Sequence, residues 1–298
     1  MPRRAFSLPF AVDLPRTVGP LRTGRHDPTT LLSQSTLIRA VRTPDGPATL
    51  RADLHGEDVE AEAWGVGADW LLDATPGLLG ALDDPTPLVP HHRAVERLQR
   101  RMPGLRLPRT GGVVAALIPA VLSQRVTGFE ANRSFRLLVE RWGEPAPGPG
   151  GLTLLPAVEV IADLGYYDLH VIGMERKRAE TLKRVAAHGG RLEAAAGEGP
   201  DALRAAVQRV PGLGEWTSAE VSRVALGDPD AVSVGDFHLK NTVTWALAQE
   251  PRGTDARMLE LLAPYAGNRG RVCRLLEAGG VQAPSYGPRK RIEPIAKR

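Results

Sequence analysis

The hydrophobic periodicity of this 298-residue chain changes once, near residue 69, and this change limits the possible fold classes more than any other feature. Before the change, short apolar runs over residues 36–43, 48–55 and 59–64 are separated by turn-forming residues, which predicts an antiparallel meander. After about residue 90, every regular segment has apolar residues at three- and four-residue spacing, which predicts helices. We therefore predict an α+β fold, in which a small N-terminal antiparallel sheet domain is followed by an all-helical body.

This pattern divides the chain into three parts. We assign residues 1–90 to a mixed α/β domain, residues 91–280 to the helical body and residues 281–298 to a basic flexible tail. In the first part, the alternation from Phe6 to Leu14 predicts a further half-buried strand, despite Pro9. The helices of the body are predicted over residues 94–102, 113–122, 130–142, 157–164, 170–174, 178–188, 203–210, 215–226, 237–248, 256–262 and 269–277.

The composition excludes several classes of protein. No apolar run approaches the ~18 residues that a membrane span needs. The N-terminus does not read as a signal or transit peptide either, so we expect a soluble, cytoplasmic protein. Cys273 is the single cysteine, which excludes an internal disulfide, a zinc site built on cysteine pairs and a four-cysteine iron–sulfur cluster.

Charge is unevenly distributed along the chain. Residues 43–85 contain ten acidic residues and one arginine, whereas the last thirteen residues account for the whole formal net charge of +4. An acidic segment beside a basic remainder is typical of a protein with one face toward a polyanion. A solvated acidic face with a disordered basic tail explains the pattern equally well, so charge alone leaves both interpretations open.

The segment over residues 203–248 carries the most information about function. Two predicted helices flank a Val-Pro-Gly-Leu-Gly sequence at residues 210–214, a connection so short that it requires a tight hairpin. Gly212 and Gly214 permit a positive φ and a close approach of another backbone. The N-terminus of the second helix presents unpaired N–H groups, which suit a phosphate. An ordinary helix–turn–helix corner explains the same residues.

An acidic residue follows the hairpin, at the start of the next predicted helix. Asp236 directly precedes the helix predicted over residues 237–248. It stands at the position of an N-cap, where a carboxylate accepts hydrogen bonds from first-turn amides. Taken alone, Asp236 is explained by this capping role.

Together, the hairpin and the later Asp236 in a helical protein resemble the helix-hairpin-helix DNA glycosylase superfamily, most closely its 3-methyladenine DNA glycosylase II (AlkA-type) family. Residues 104–108 resemble the entry into that family's helical body, and residues 123–127 are similar to its DNA-probing loop. Residues 173–179 are similar to the segment before its hairpin. The resemblance covers about residues 5–280 and implies a helix-hairpin-helix glycosylase body with its hairpin at residues 203–226.

The resemblance implies a DNA repair enzyme that flips an alkylated purine of the 3-methyladenine type out of double-stranded DNA and hydrolyses its N-glycosidic bond, leaving an abasic site. Asp236 matches the catalytic aspartate, whose fixed charge stabilises an oxocarbenium-like sugar and orients water. Trp216 stands where members that also cut the strand have a lysine nucleophile, which implies a monofunctional enzyme.

Further site residues are implied by the same resemblance. The substrate pocket is expected to contain Trp216, Glu220 and Phe237, although packing between the hairpin helices is an equal alternative for Trp216. DNA contacts are expected from Gln124, Arg125, Val210, Gly212, Leu213, Gly214, Glu215 and Thr217. A structural monovalent cation is implied at the backbone carbonyls of Gln208, Val210 and Leu213. We expect no other cofactor, a monomeric state and association with the nucleoid.

Several positions depart from the family's pattern. Arg125 replaces an apolar wedge, and a guanidinium can fill the gap left by a flipped base while touching a phosphate. Glu220 replaces a pocket aromatic, and no tryptophan matches the one near the last helix, where Tyr265, Asn268 and Arg269 occur. Two alternatives therefore remain: a non-catalytic DNA-binding helix-hairpin-helix protein, and a glycosylase for deaminated purines.

Overall fold

The computed structural model describes residues 1–284, and its N-terminal strands form one antiparallel sheet. The strands are β1 (Arg3–Ser7), β2 (Thr30–Leu32), β3 (Thr36–Thr43), β4 (Gly46–His55) and β5 (Asp58–Gly65). Their order across the sheet is β1-β5-β4-β3-β2. The predicted meander is confirmed as β3, β4 and β5, and two residues join each strand to the next, as is common in hairpins.

One face of the sheet is covered by α1 (Leu14–Val18) and α2 (Ala68–Leu78), whose apolar side chains share a core with it. The alternation of side chains along β4 shows how this face is specified. Leu50 and Ala52 are fully buried, whereas Arg51 between them is exposed, because successive residues of a strand point to opposite faces.

The helical body follows the sheet domain, as predicted. Its helices are α3 (Arg93–Arg101), α4 (Val113–Leu122), α5 (Gly128–Trp142), α6 (Val158–Asp163), α7 (Tyr166–His170), α8 (Arg176–Ala196), α9 (Pro200–Gln208), α10 (Glu215–Leu226), α11 (Leu239–Ala248), α12 (Asp255–Leu262) and α13 (Arg269–Ala278). The apolar helix α4 packs against α5, α8 and α10, with Leu117 and Ile118 buried. α13 packs against α3 and α11 and closes a second core.

The strand predicted from Phe6 to Leu14 is wrong beyond Ser7. Pro9 has no N–H to donate to a ladder, so β1 ends before it. Leu14 instead begins α1, where the Asp13 carboxylate accepts from the N–H of Arg16 (3.1 Å). The apolar alternation marks burial of this segment, not an extended conformation.

The helix predicted over residues 170–174 is also wrong. α7 ends at His170, and Gly173 has a φ of +95°, which interrupts helical geometry before α8 begins. Leu169, Ile172 and Met174 are each fully buried, so the periodic pattern arises from a packed turn. α8 in turn extends beyond the predicted residues 178–188 at both ends.

The predicted boundary at residue 90 falls between α2 and α3. Most of the predicted basic tail, residues 285–298, lies outside the described residues. Over residues 1–284, no helix combines the length and apolar character that a membrane crossing requires.

Candidate active site

A tight hairpin joins α9 to α10, as the sequence predicts. Gly212 in this hairpin has a φ of +97°, and a Cβ built on it would lie 2.3 Å from Oγ1 of Thr181 in α8. The need for glycine at residue 212 is therefore explained by packing against α8. Gly214 differs, because a Cβ there would meet no atom within 4 Å. Of these two glycines, Gly214 is the one that leaves space for an approaching ligand.

The N-terminus of α10 has the unpaired amides of an anion site. Gly214 is its N-cap and supplies no side-chain acceptor for the first-turn N–H groups. Val210, Leu213 and Thr217, which are predicted DNA contacts, have buried side chains, so only their backbone can face a ligand. The side chain of Glu215 is exposed. The hairpin thus offers backbone donors to its surroundings.

The loop between α4 and α5 is fixed to the hairpin by Gln124. Its Nε2 donates to the carbonyl of Gly212 and to Oγ1 of Thr217, both over 3.0 Å. These two bonds use both protons of the amide, so Gln124 positions the loop. Arg125, the next residue, is exposed and has a φ of +55°, a left-handed conformation that is uncommon for residues other than glycine. Arg125 and the hairpin therefore belong to one continuous surface.

Two ion pairs anchor the connection between α10 and α11. Asp228 accepts from the guanidinium of Arg204 in α9 and from the N–H of Asp230 (3.0 Å). Asp230 accepts from the N–H and Nε of Arg269 at the start of α13, over 3.0 and 2.9 Å. Asp236 lies in this connection, which is therefore held in place by α9 and by α13.

The carboxylate of Asp236 is held by three N–H groups. Its Oδ1 accepts from the N–H groups of His238 (2.7 Å) and Leu239 (2.8 Å), in a turn directly before α11. The sequence predicts Asp236 as the N-cap residue, but in the structure His238 occupies that position. The Oδ2 of Asp236 accepts from Nε1 of Trp216 over 3.2 Å. The helix itself begins at Leu239, two residues later than predicted. Backbone and indole donors together fix both oxygens of this carboxylate at the edge of α11.

Trp216 packs within the helical body, which is one of the two roles that the sequence left open, while its role in a base pocket stays a prediction. Its ring packs against the core between α4, α8 and α10, and its N–H reaches Asp236. Phe237, also predicted as a pocket residue, is 77% exposed and stacks edge-to-face on His238. The ring of Phe237 is therefore largely exposed to solvent next to Asp236, and its place in a substrate pocket stays a prediction.

Glu220 lies one turn after Trp216 on α10 and is engaged within the protein. Nη2 of Arg223 lies 2.5 Å from its Oε2, and the hydroxyl of Ser233 donates to its Oε1. The carboxylate of Glu220 raises the pKa of Arg223, whose guanidinium is only 17% exposed. The predicted pocket position is thus part of a hydrogen-bonded pair that joins α10 to the connection before Asp236.

Glu277, in the last turn of α13, has a further carboxyl group that was not singled out from the sequence. Its side chain is 45% exposed, and its partial burial raises its pKa. The charges of Glu220 and Asp236 raise this pKa further, whereas Arg223 and Arg274 lower it. The negative charges of Glu220 and Asp236 therefore disfavour ionisation of Glu277. In the sequence, Glu277 is indistinguishable from a solvated charge near a helix end.

Near the last helix, where the family has a tryptophan in its pocket, this chain has Tyr265, Asn268 and Arg269. All three side chains make contacts within the protein. The Tyr265 side chain is buried, and its hydroxyl accepts from the N–H of His91 (3.2 Å) and contacts Nδ1 of His92 (2.7 Å). Asn268 accepts from Nε of Arg271, and Arg269 pairs with Asp230.

The backbone carbonyls predicted to bind a monovalent cation lie around the hairpin. The carbonyl of Val210 accepts one turn hydrogen bond, from the N–H of Leu213 (3.0 Å), which leaves it a second lone pair. Those of Gln208 and Leu213 accept no turn or loop bond from the described backbone. The acceptors fit a cation of low charge. Over residues 1–284 there is no cluster of three or more His, Cys, Asp or Glu side chains of the kind that holds a transition metal.

No family model matches the chain. A segment of 144 residues, 47% of this chain, is 31% identical to a probable bifunctional transcriptional activator/DNA repair enzyme AlkA of Mycobacterium tuberculosis. The match covers 28% of that relative, so the chain corresponds to little more than a quarter of its length.

Solved structures match nearly the whole chain. A 3-methyladenine DNA-glycosylase from Archaeoglobus fulgidus superimposes with a TM-score of 0.75 at 19% identity, over 92% of this chain and 97% of that one. An 8-oxoguanine glycosylase/lyase of Clostridium acetobutylicum, in complex with double-stranded DNA, superimposes with a TM-score of 0.72 at 12% identity, over 93% and 97%. At these identities the likeness is one of fold.

Proposed function

We propose that this chain, whose fold is that of the helix-hairpin-helix DNA glycosylases, hydrolyses the N-glycosidic bond of a damaged base in double-stranded DNA. The observation that carries the proposal is the Asp236 carboxylate, held by three N–H groups between the hairpin helix α10 and α11. The curated relative, described as a DNA repair enzyme, supports the same activity.

In the proposed reaction, the damaged nucleotide first leaves the base stack, because its sugar is inaccessible in a duplex. Cleavage of the glycosidic bond places positive charge on the deoxyribose. The oriented carboxylate of Asp236 stabilises that charge and aligns the water that attacks the sugar. An abasic site and a free base are the products. Two backbone donors keep the carboxylate in place throughout, so no reorganisation is needed.

We further propose a monofunctional enzyme. An indole at residue 216 cannot form a Schiff base, and its N–H is already bonded to Asp236. The described lysines are Lys177, Lys183 and Lys240. Lys240 follows Asp236 most closely in the sequence, and its Nζ lies 3.9 Å from the carboxylate of Asp255. The Clostridium neighbour, in contrast, is described as a lyase.

Alkylated purines are the substrates that this site suits best. Alkylation at a ring nitrogen gives the purine a positive charge, so the base leaves without a strong general acid. Glu220 is paired with Arg223 and Ser233 and is not free to protonate a leaving base. The Archaeoglobus neighbour is described as a 3-methyladenine glycosylase, and the Clostridium one acts on 8-oxoguanine. Deaminated purines, and binding without catalysis, are the alternatives.

DNA binding is proposed for the surface that contains the hairpin and Arg125. The amides of α10 at Gly214 would contact a phosphate, and Arg125 would enter the gap left by the extruded base. The carbonyls around Val210 would hold a monovalent cation that strengthens the phosphate contact. We propose that a monomer performs this reaction, in the cytoplasm and at the nucleoid.

One experiment tests this proposal. The protein is incubated with methylated duplex DNA, released bases are identified by mass spectrometry, and borohydride is added to parallel reactions. We expect free alkylated purines, an uncut strand containing abasic sites and no covalent protein–DNA adduct. Binding without release would favour the non-catalytic alternative, and a borohydride cross-link would contradict monofunctional chemistry.

A further inference from the structure

A cleft of about 270 Å³ lies between α3, α13 and the chain segments on either side of α3. Its wall is mostly apolar and includes Leu88, Met102 and Leu275, which are all nearly fully buried. Binding sites for small molecules have this character, an apolar wall with a few polar groups. Among residues 1–284, none of those proposed above to contact DNA or the damaged base lines this cleft. The cleft is therefore a separate candidate site.

Within the described part of the chain, three arginines line this cleft beside the apolar side chains: Arg106, Arg271 and Arg274. Arg271 is paired with Asp83, since its Nη1 and Nη2 lie 2.9 and 2.5 Å from the two carboxylate oxygens. The two side chains are only 5% and 3% exposed. Asp83 therefore neutralises the charge of Arg271.

Arg106 donates to no carboxylate among residues 1–284. Its Nη1 donates to the carbonyls of Pro103 (2.7 Å) and Leu105 (3.0 Å), and its guanidinium stacks on the ring of Phe10. The residue is only 9% exposed, yet within the same residues its Nε has no hydrogen-bond partner and its Nη2 donates to no acceptor. Buried donors are normally paired, because an unpaired one costs free energy. The guanidinium of Arg106 thus lacks an acceptor on one edge.

Arg274 is paired only weakly. Its Nη2 donates to the carbonyl of Arg16 over 2.5 Å, whereas its Nη1 lies 3.8 Å from the carboxylate of Glu277, which is beyond hydrogen-bond distance. Burial lowers the pKa of Arg274, although the charges of Glu277 and Asp13 raise it. Burial also lowers the pKa of Arg106. An anion in the cleft would therefore stabilise the charged forms of both arginines.

The charges at the cleft set the charge of a suitable ligand. Asp83 is the counterion of Arg271, and Glu277 is the more distant counterion of Arg274. Among the residues that the structure describes, Arg106 is then the cation that remains without a hydrogen-bonded counterion. One unmatched positive charge favours a ligand with one negative charge.

We propose that this cleft binds a small organic monocarboxylate, whose carboxylate accepts a hydrogen bond from Nη2 of Arg106 and whose apolar part packs against the wall of the cleft. A guanidinium binds a carboxylate well, because its N–H groups match the two oxygens of that anion. The apolar wall favours a ligand with a hydrocarbon body over an inorganic ion. This site goes beyond the proposed function and does not depend on it.

The test uses octanoate as the carboxylate, octanamide as a neutral molecule of the same chain length and octyl phosphate as a dianion. Isothermal titration calorimetry measures their affinities for the wild type, Arg106→Lys and Gln99→Glu. Gln99 lines the cleft from α3, so its change to glutamate adds a negative charge there. The matched control is Gln34→Glu, at an exposed residue between β2 and β3. Thermal unfolding shows whether each variant is folded.

We expect one octanoate per protein, bound about tenfold or more tightly than octanamide, because the neutral amide cannot form a charge-assisted hydrogen bond as acceptor. Gln99→Glu should weaken octanoate binding about tenfold by charge repulsion, and Gln34→Glu should match the wild type. Arg106→Lys should also weaken it, since an ammonium lacks the planar fork.

The proposal would be overturned if octanoate did not bind, if octanamide bound equally well, or if octyl phosphate bound more tightly than octanoate. Unchanged affinity of a folded Arg106→Lys variant would contradict the role of Arg106. Should that variant not fold, Gln99→Glu decides, and unchanged octanoate affinity there would place the anion outside the cleft. These measurements involve no DNA, so their failure is distinct from a failure of the proposed function.

Discussion

The indole N–H of Trp216 donates to Oδ2 of Asp236 over 3.2 Å, which links the first turn of the hairpin helix α10 to the start of α11. The other oxygen of the same carboxylate accepts from the backbone of His238 and Leu239. The element proposed to hold the DNA backbone and the group proposed to perform catalysis are thus joined by a single hydrogen bond. The orientation of the Asp236 carboxylate therefore depends on α10, through Trp216, and on the backbone at the start of α11.

Trp216→Phe removes this donor while keeping an aromatic ring against the helical core. We expect base release to slow about tenfold, since hydrogen bonds to charged groups contribute about 1.5–3 kcal/mol and two backbone donors remain. Affinity for undamaged duplex should not change. Single-turnover rates and equilibrium titrations measure the two effects, and a Phe variant with the wild-type rate would show that the indole N–H is dispensable.

Substitutions at the two hairpin glycines should have different effects, one on stability and the other on DNA binding. Gly212→Ala places a Cβ against Thr181 at a positive φ, so we expect a loss of about 1–3 kcal/mol in unfolding free energy. The Cβ of Gly214→Val meets no atom within 4 Å, so this variant should leave stability nearly unchanged, yet weaken binding to every duplex by blocking the amides of α10. Chemical denaturation and DNA titration measure these effects. Equal affinity for DNA after Gly214→Val would exclude the phosphate contact.

Arg125→Ala should affect only DNA with an extruded base. The exposed guanidinium lies on the loop that Gln124 fixes to the hairpin, where it can fill the gap and brace a kinked backbone. We expect a larger loss of affinity for an abasic-analogue duplex than for intact DNA, with a salt dependence reduced by no more than about one ion. Titrations at several salt concentrations test this. Equal losses on both duplexes would reduce Arg125 to an ordinary phosphate contact.

Glu277→Gln should increase stability near neutral pH. The folded protein raises the pKa of this carboxyl through limited hydration and through Glu220 and Asp236, against Arg223 and Arg274. The folded state therefore binds a proton more readily than the unfolded chain, so ionised Glu277 destabilises the fold as pH rises above the ordinary glutamate range.

The measurement is thermal unfolding of the variant and the wild type across a pH series. The difference in unfolding temperature should be largest at neutral pH and should disappear at about pH 4, where glutamate is largely protonated in both states. A Gln variant that is less stable at neutral pH would mean that Glu277 serves the fold.

Much of the fold could be predicted from local sequence. The bounds of β3, α4 and α10 agree with the predicted residues 36–43, 113–122 and 215–226, because their ends are marked by turn residues and glycines next to regular apolar patterns. The errors occurred where burial without regular structure imitates periodicity, as in the turn before α8.

The candidate site was only partly predictable, since its composition depends on packing between distant segments. Asp236 and Trp216 were identified by their places in the hairpin pattern, whereas the bond between them is a product of the fold. The bonds of Gln124 to the hairpin cross nearly ninety residues of sequence. Glu277 lies on the last helix, and nothing in its neighbourhood along the chain indicates that the charges of Glu220 and Asp236 act on it.

The most direct test of the central claim is single-turnover base release by Asp236→Asn. Asparagine keeps a side-chain oxygen that can accept from the N–H groups of His238 and Leu239, so these bonds can persist and the fold should be preserved. The charge that stabilises the sugar cation is lost, so we expect release of 7-methylguanine from a duplex to fall by a factor of about 10²–10³ or more. Affinity for an abasic-analogue duplex should stay close to that of the wild type. An Asn variant that releases the base at the wild-type rate would contradict the assignment of Asp236 as the catalytic residue.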